Sequence, residues 1–325
     1  MWIFIATFSY LLNAGVHVAD KFLLSKKIHS SIVYAFYVGI WSIFNFVLLF
    51  FHPWIPTPLE LIYDLSAGFL FLVTLVFWYK ALHQSEASRV VPIVGALTPI
   101  FSFLFSYLFL GTQLTAQQFG AFIVLIAGGL LISIKRTHMH MFNEVWERTK
   151  NIFGNTFGKF NDEIRPTRRL LINSIIAAIC FAAYYVLIKY IYSHSGQPFI
   201  GAFVWSRLGS FLGVLCILLV PSWRTLIKES NLHVDRTAKQ LVSFFAVRLA
   251  AAAAFIMLNW AVSLSDNVSL INALQGTQYA FLLFIIIVMA KKYPQFIDEE
   301  VGRGVIFQKT IGIILVGLGL YLLVW

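Results

Sequence analysis

The chain has 325 residues, of which 59% are hydrophobic and only 12% charged, with a mean hydropathy of +0.81. A soluble domain carries roughly 25% charged residues, so the polar surface is too small to face water and lipid must be the solvent for most of the chain. The net charge of +10 then belongs with anionic headgroups rather than nucleic acid, and Cys180 and Cys216, both inside apolar runs, read as packing residues.

A bilayer core about 30 Å thick asks for about 20 mostly apolar residues per helix. Ten windows meet that demand: 2–24, 32–51, 59–82, 87–110, 117–134, 170–192, 198–220, 241–264, 267–290 and 305–325. The runs are too long for strands and lack period-two alternation, so the predicted fold is an all-α membrane protein with ten transmembrane helices. The first window has no basic leader and no small-residue cleavage site, and reads as the first span.

The connections differ sharply in charge. Segments 25–31, 83–89, 135–169, 221–240 and 291–304 hold Lys26, Lys27, Arg89, Lys135, Arg168, Arg224, Lys239, Lys291 and other cations. Segments 52–58, 111–116, 193–197 and 265–266 hold no Lys or Arg. By the positive-inside rule the first set is cytoplasmic and both termini lie on the opposite side, which in a prokaryote means the cell membrane. Segment 135–169 reads as a basic linker between two halves or as an interfacial amphipathic helix.

The halves repeat. With a shift of 180, "ALHQSEASRVVPIVGALTPIFSFL" falls on "AVSLSDNVSLINALQGTQYAFLLF"; with a shift of 168, Lys21 falls on Lys189 and Ser25 on Ser193. Each copy has five helices, an odd number, so residues 1–134 and 170–325 are expected to be inverted relative to each other. Inverted repeats are the mark of secondary transporters, with the site near the midplane between the copies.

The ten-helix pattern, the stretch "ASRVVPIVGALTPIFSFLFSYLFLGTQLT" and the glycine-rich "QFGAFIVLIAGGLLI" that follows resemble the EamA-type transporters of the drug/metabolite transporter superfamily. The resemblance implies transport, and a substrate site beside helices 4 and 9. Three departures accompany it. Gly111 is followed by Thr112 and Gln113, where the family often has an acid. The family's usual charge bias puts the termini in the cytoplasm, opposite to the bias here. In the related four-helix multidrug transporters a Glu stands eight residues before a Lys; before Lys21 that place holds Asn13, and before Lys189 it holds Phe181. Export of cations by that carboxylate is therefore not expected. Gly120, Gly128, Gly312 and Gly319 are expected to bring helices 5 and 10 together as scaffold.

The candidate site residues are charges and polar stripes inside the spans. Arg207 lies nine residues beyond Pro198, about 14 Å deep, too far to snorkel fully. A guanidinium there costs from about 3 to more than 10 kcal/mol unless offset, by a structural partner or by a wet cavity that admits an anion. Lys189 ends a stripe with Tyr185 and Tyr192; Arg248 lies about 10 Å from one membrane face. Asn13, His17 and Asp20 share one face of helix 1, and His17 or Asp20 is the expected proton carrier if the cycle is proton-coupled. Asn272, Gln275 and Tyr279 share a face of helix 9, with Thr98 matching in helix 4. Trp78, Tyr79 and Trp260 are aromatic walls or interface anchors.

The sequence shows no HExxH, no GxSxG, no paired intramembrane carboxylates and no Cys/His cluster, so no enzyme activity and no cofactor are expected. The expected function is secondary transport of a small anionic or zwitterionic metabolite, such as an amino acid, an organic acid or a phosphorylated sugar derivative. The expected partners are that substrate, the bilayer and a coupling proton or counter-substrate. A transporter of lipid-linked or aromatic cargo, or a non-transporting scaffold, is the alternative.

Overall fold

The computed structural model describes residues 1–27, 30–84, 87–133, 165–232, 238–292 and 303–324. Every regular element among them is helical: α1 (Trp2–Lys27), α2 (Ser31–Trp41) continuing as a 3-10 segment (Ser42–Phe50), α3 (Pro58–Gln84), α4 (Ala87–Leu110), α5 (Ala116–Ser133), α6 (Arg165–His194), α7 (Phe199–Leu219), α8 (Pro221–Leu232), α9 (Ala238–Leu264), α10 (Val268–Ala273), α11 (Gln275–Lys292) and α12 (Arg303–Val324). Seven of these stretches, α2 with its 3-10 extension counted as one, are long and apolar enough to cross a membrane, and the N-terminal part of α1 and α5 add shorter apolar helices. The protein is an all-α, multi-pass integral membrane protein. The helices fall where the sequence places its ten windows, and the amphipathic reading of 135–169 lies almost wholly outside the described residues.

Three features go beyond the expected helices. The second span tightens into a 3-10 helix after Trp41, where Ser42 Oγ donates to the Val38 carbonyl (3.3 Å) and Asn45 Nδ2 to the Ser42 carbonyl (3.0 Å). Side chains that bond their own backbone compete with the regular helix ladder. The ninth span is broken at Leu274 into α10 and α11. Tyr10 Oη donates to the Ile271 carbonyl beside the break, at 2.9 Å, as broken spans require of some neighbour. Finally, α8 is a short helix within a segment expected to be a loop.

The packing repeats across the two halves. α6 lies against α3 and α4, and α1 lies against α9 and the broken α10/α11. α5 pairs with α12, α4 with α10, and α2 with α7. α5 and α12 form the most extensive pair: a Cβ on Gly128 would meet the Gly312 carbonyl at 2.9 Å, and one on Gly319 would meet Leu125. Gly120, expected in this seam, has nothing within 4 Å; it points away from α12.

One pair breaks the symmetry. α3 and α7 are pressed together so closely that a Cβ on Gly68 would run into the Ser206 carbonyl and one on Gly209 into the Leu65 carbonyl, while Ser210 Oγ donates to the Gly68 carbonyl at 2.8 Å. The counterpart pair, α2 and α9, scarcely packs; Trp41 on Phe245 (ring centroids 5.1 Å) and Arg248 over the Tyr34 ring (5.5 Å) are ring contacts that bridge it. Shifted by 180, Gly68 corresponds to Arg248, and shifted by 168, Gly209 corresponds to Trp41. Small residues permit close approach, and the bulky ones at the equivalent places hold the second pair apart.

Overpacking a tight contact costs about 1–3 kcal/mol or more. Gly209→Val is expected to lower the thermal unfolding midpoint in detergent by several degrees, whereas Gly317→Val, at a glycine with nothing within 4 Å, leaves it within about one degree.

Candidate functional site

The unpacked α2–α9 pair opens into a cavity of about 920 Å³ at the centre of the bundle. Its walls come from α1, the α2 span, α3, α4, α6, α7, α9 and the broken ninth span. Trp78 and Tyr79 lie towards the end of α3, and Phe245 and Arg248 towards the start of α9, so the cavity runs from mid-span towards the face that carries the basic connections. The opposite face is closed by the α3–α7 contact and by Trp54, which rests on Gly201 and accepts a 3.0 Å hydrogen bond from Trp205 Nε1 at its carbonyl.

Arg207 forms part of the cavity wall, yet only 2% of it is exposed. Its guanidinium sits inside four aromatic rings, 4.5 Å from the centroid of Phe71, 4.8 Å from Phe255, 5.4 Å from Phe203 and 5.6 Å from Tyr184. Nη2 donates to Tyr184 Oη at 2.9 Å, Tyr184 Oη donates to Asn259 Oδ1 at 2.9 Å, and Asn259 Nδ2 donates to the Phe255 carbonyl at 3.0 Å. Arg207 Nε has no hydrogen-bond partner. Cation–π contacts in a desolvated setting contribute about 2 kcal/mol or more each at best, and they favour a planar guanidinium. The rings and one hydroxyl therefore hold the charge in place, and Nε stays buried without a hydrogen-bond partner.

Several sequence-predicted residues converge on this space: Asn13, Thr98, Tyr185, Arg207, Arg248, Asn272 and Gln275 line it, together with Trp78 and Tyr79. Asn272 Nδ2 donates to Ser102 Oγ at 2.7 Å, tying the broken ninth span to α4. No acidic residue is among the described residues of the wall. Lys189 is not part of it: it is buried in the upper part of α6, where Asp266 is an electrostatic neighbour, because the α6 stripe carries it about one turn past Tyr185. Tyr279 lies outside the cavity too, its hydroxyl against Gly95 beside a small void between α4, α5 and the ninth span. Trp260 is exposed on the outer surface of α9. His17 and Asp20 lie on α1, but their side chains fall outside the described residues.

The sequence reading passed over Tyr184, Asn259, Phe71 and Phe255. Tyr184 is adjacent to the chosen Tyr185, and a Tyr and an Asn in apolar runs are a weak signal until their helices are known to meet. Asp64 is wholly buried on α3, beside Gln197 and Tyr192 on the closed side.

A multi-pass helical bundle with a central cavity reached past a loose helix pair has the architecture of a membrane transporter. Residues 1–134 match the model of the EamA-like transporter family. No curated protein matches the chain. A solved crystal structure of a protein shares the fold, with a TM-score of 0.64 at 15% identity over 99% of this chain and 97% of that one.

A hydrogen bond from a charged donor contributes about 1.5–3 kcal/mol. In a double-mutant cycle, Tyr184→Phe and Arg207→Met are expected to show a coupling of at least about 1 kcal/mol in unfolding free energy; additive effects in that cycle would mean the Nη2–Oη bond does not hold the guanidinium.

Proposed function

We propose that the protein is a secondary transporter of a small organic anion or zwitterion, working by alternating access around the central cavity. The observation that carries this reading is Arg207: a guanidinium near mid-span, braced by rings and a hydroxyl, with Nε unmatched beside a cavity of about 920 Å³. Ligand pockets measure about 300–1,000 Å³. A guanidinium offers paired donors to a carboxylate or phosphate, and the ring-lined walls suit an apolar or aromatic remainder. Asn13, Thr98, Asn272 and Gln275 supply orienting amides and a hydroxyl.

The packing asymmetry supports the transport cycle. The tight α3–α7 contact and the loose α2–α9 contact are equivalent positions of two repeats, which we take to be inverted. In this cycle the α2–α9 pair closes through its side chains, Trp41 on Phe245 and Arg248 over Tyr34, as the α3–α7 contact loosens, and the site stays in place. The loop charges favour a cytoplasmic location for the end on which the cavity opens. A coupling proton or counter-substrate completes the cycle, with His17, Asp20 and Asp64 as the acidic or titratable groups available to it.

The test is uptake of pooled radiolabelled metabolites into proteoliposomes. Wild type is expected to take up one or more organic anions; Arg207→Ala is expected to reduce that uptake at least tenfold, and Arg207→Lys to restore only part of it because the planar fork is lost. Equal anion uptake by wild type and Arg207→Ala would remove Arg207 from the site, and absence of flux for every solute would remove the transporter reading itself.

A further inference from the structure

The cavity opens sideways. On the α2 span, Phe44 and Val47 belong to its wall and are 58% and 52% exposed; on α9, Phe245 and Leu249 belong to its wall and are 49% and 74% exposed. Side chains that line the cavity and are about half or more exposed on both helices of the loose α2–α9 pair mark a gap between them, with Trp41 on Phe245 as the ring contact across it. Counted from the start of each apolar window, Leu249 lies about 12 Å and Phe44 about 20 Å along helices that cross a hydrocarbon core of about 30 Å. The mouth therefore lies at mid-membrane depth, away from the headgroups.

The chemistry of the rim agrees with that depth. Phe44, Val47, Leu48, Leu249 and Ala252 are apolar, while Ser42 and Asn45 beside them are turned to carbonyls of their own span and Arg248 lies over the Tyr34 ring. The 3-10 geometry of Ser42–Phe50 shapes the α2 side of it. A fully hydrated anion that used this mouth would have to shed its water in hydrocarbon, at a cost of the kind that keeps charges out of bilayers. An amphipathic anion already resident in the leaflet meets no such barrier for its tail, and needs only to turn its head inward, where Arg207 waits on the opposite wall.

We propose that the slot between α2 and α9 is a lateral portal, and that the substrate class is an amphipathic anion: a carboxylate or phosphate head bound at Arg207, with a hydrocarbon portion that lies in the slot and reaches into the bilayer. This rests on the reading of the cavity as an anion-transport site, and adds to it the route of entry and the tail. The slot gives the tail a path rather than a large gain in affinity, because lipid is as apolar as the rim; the contribution of the membrane is to concentrate the ligand beside the mouth.

The experiment measures binding to the full chain in phosphatidylcholine nanodiscs, with empty nanodiscs as the baseline and lipid-partitioned ligand expressed as mole fraction. The probes are radiolabelled dodecyl phosphate and phenyl phosphate, with dodecyltrimethylammonium as the opposite-charge control. Wild type is expected to bind dodecyl phosphate saturably and not the cation, with at least tenfold loss in Arg207→Ala. Filling the mouth with Val47→Trp and Leu249→Trp together is expected to slow dodecyl phosphate association at least tenfold while phenyl phosphate, which reaches the cavity from water, still binds. A polar mouth, Val47→Ser with Leu249→Ser, is the second variant and is expected to slow dodecyl phosphate in the same way. If phenyl phosphate binds in an Arg207-dependent manner but dodecyl phosphate does not, or binds equally fast to both mouth variants, the portal is overturned and the anion site stands. If neither phosphate binds to wild type, the anion site falls and the portal with it.

Discussion

A guanidinium embedded half way through a bilayer cannot be left to itself, and much of the middle of this protein is arranged around that fact. Four rings drawn from α3, α6, α7 and α9 enclose Arg207, and the Tyr184–Asn259 pair links it to the backbone of α9. The enclosure uses polarizable faces and a neutral hydroxyl in place of a carboxylate. A neutral enclosure leaves the positive potential largely intact, where a salt bridge would have cancelled it. The same residues thus make the charge tolerable without neutralising it.

That arrangement also ties the site to the packing of the two halves. Phe71 is on α3, one turn from Gly68, and Arg207 is on α7, two residues from Gly209. The tight face of the bundle and the charged site share the same two helices. Phe255, on the far side of the guanidinium, belongs to α9, the helix that stands apart from the α2 span. Any sliding of α3 on α7, or closing of α9 on α2, must alter the rings that hold the arginine.

The sequence made the membrane helices legible because bilayer thickness imposes a length and an apolarity that hydropathy reads directly. It also made Arg207 legible, because a charge deep in an apolar run has no bland surroundings. Asn13 could be assigned to the cavity from helical spacing, and Thr98 and Asn272 from the family resemblance that puts helices 4 and 9 beside the site. What resisted was everything set by which helix meets which. Tyr184 and Tyr185 are neighbours in sequence but have different tasks, one bracing Arg207 and the other lining the cavity, and only the approach of α9 separates them. Lys189 satisfied the same spacing rule as Tyr185 yet rises beyond the cavity. Gly120 fitted the glycine pattern of helix 5 but faces open space. The break at Leu274 leaves no proline to read; it depends on Tyr10 from the other half of the chain.

The α5–α12 seam has a consequence of its own. Gly128 and Gly312 bring two backbones together with no side chain between them to change rotamer, and Leu125 is wedged against Gly319. A joint of that kind has one resting geometry and little tolerance for others. The two helices are held together as a single strut, and in the cycle proposed above they form a fixed body against which the other helices turn.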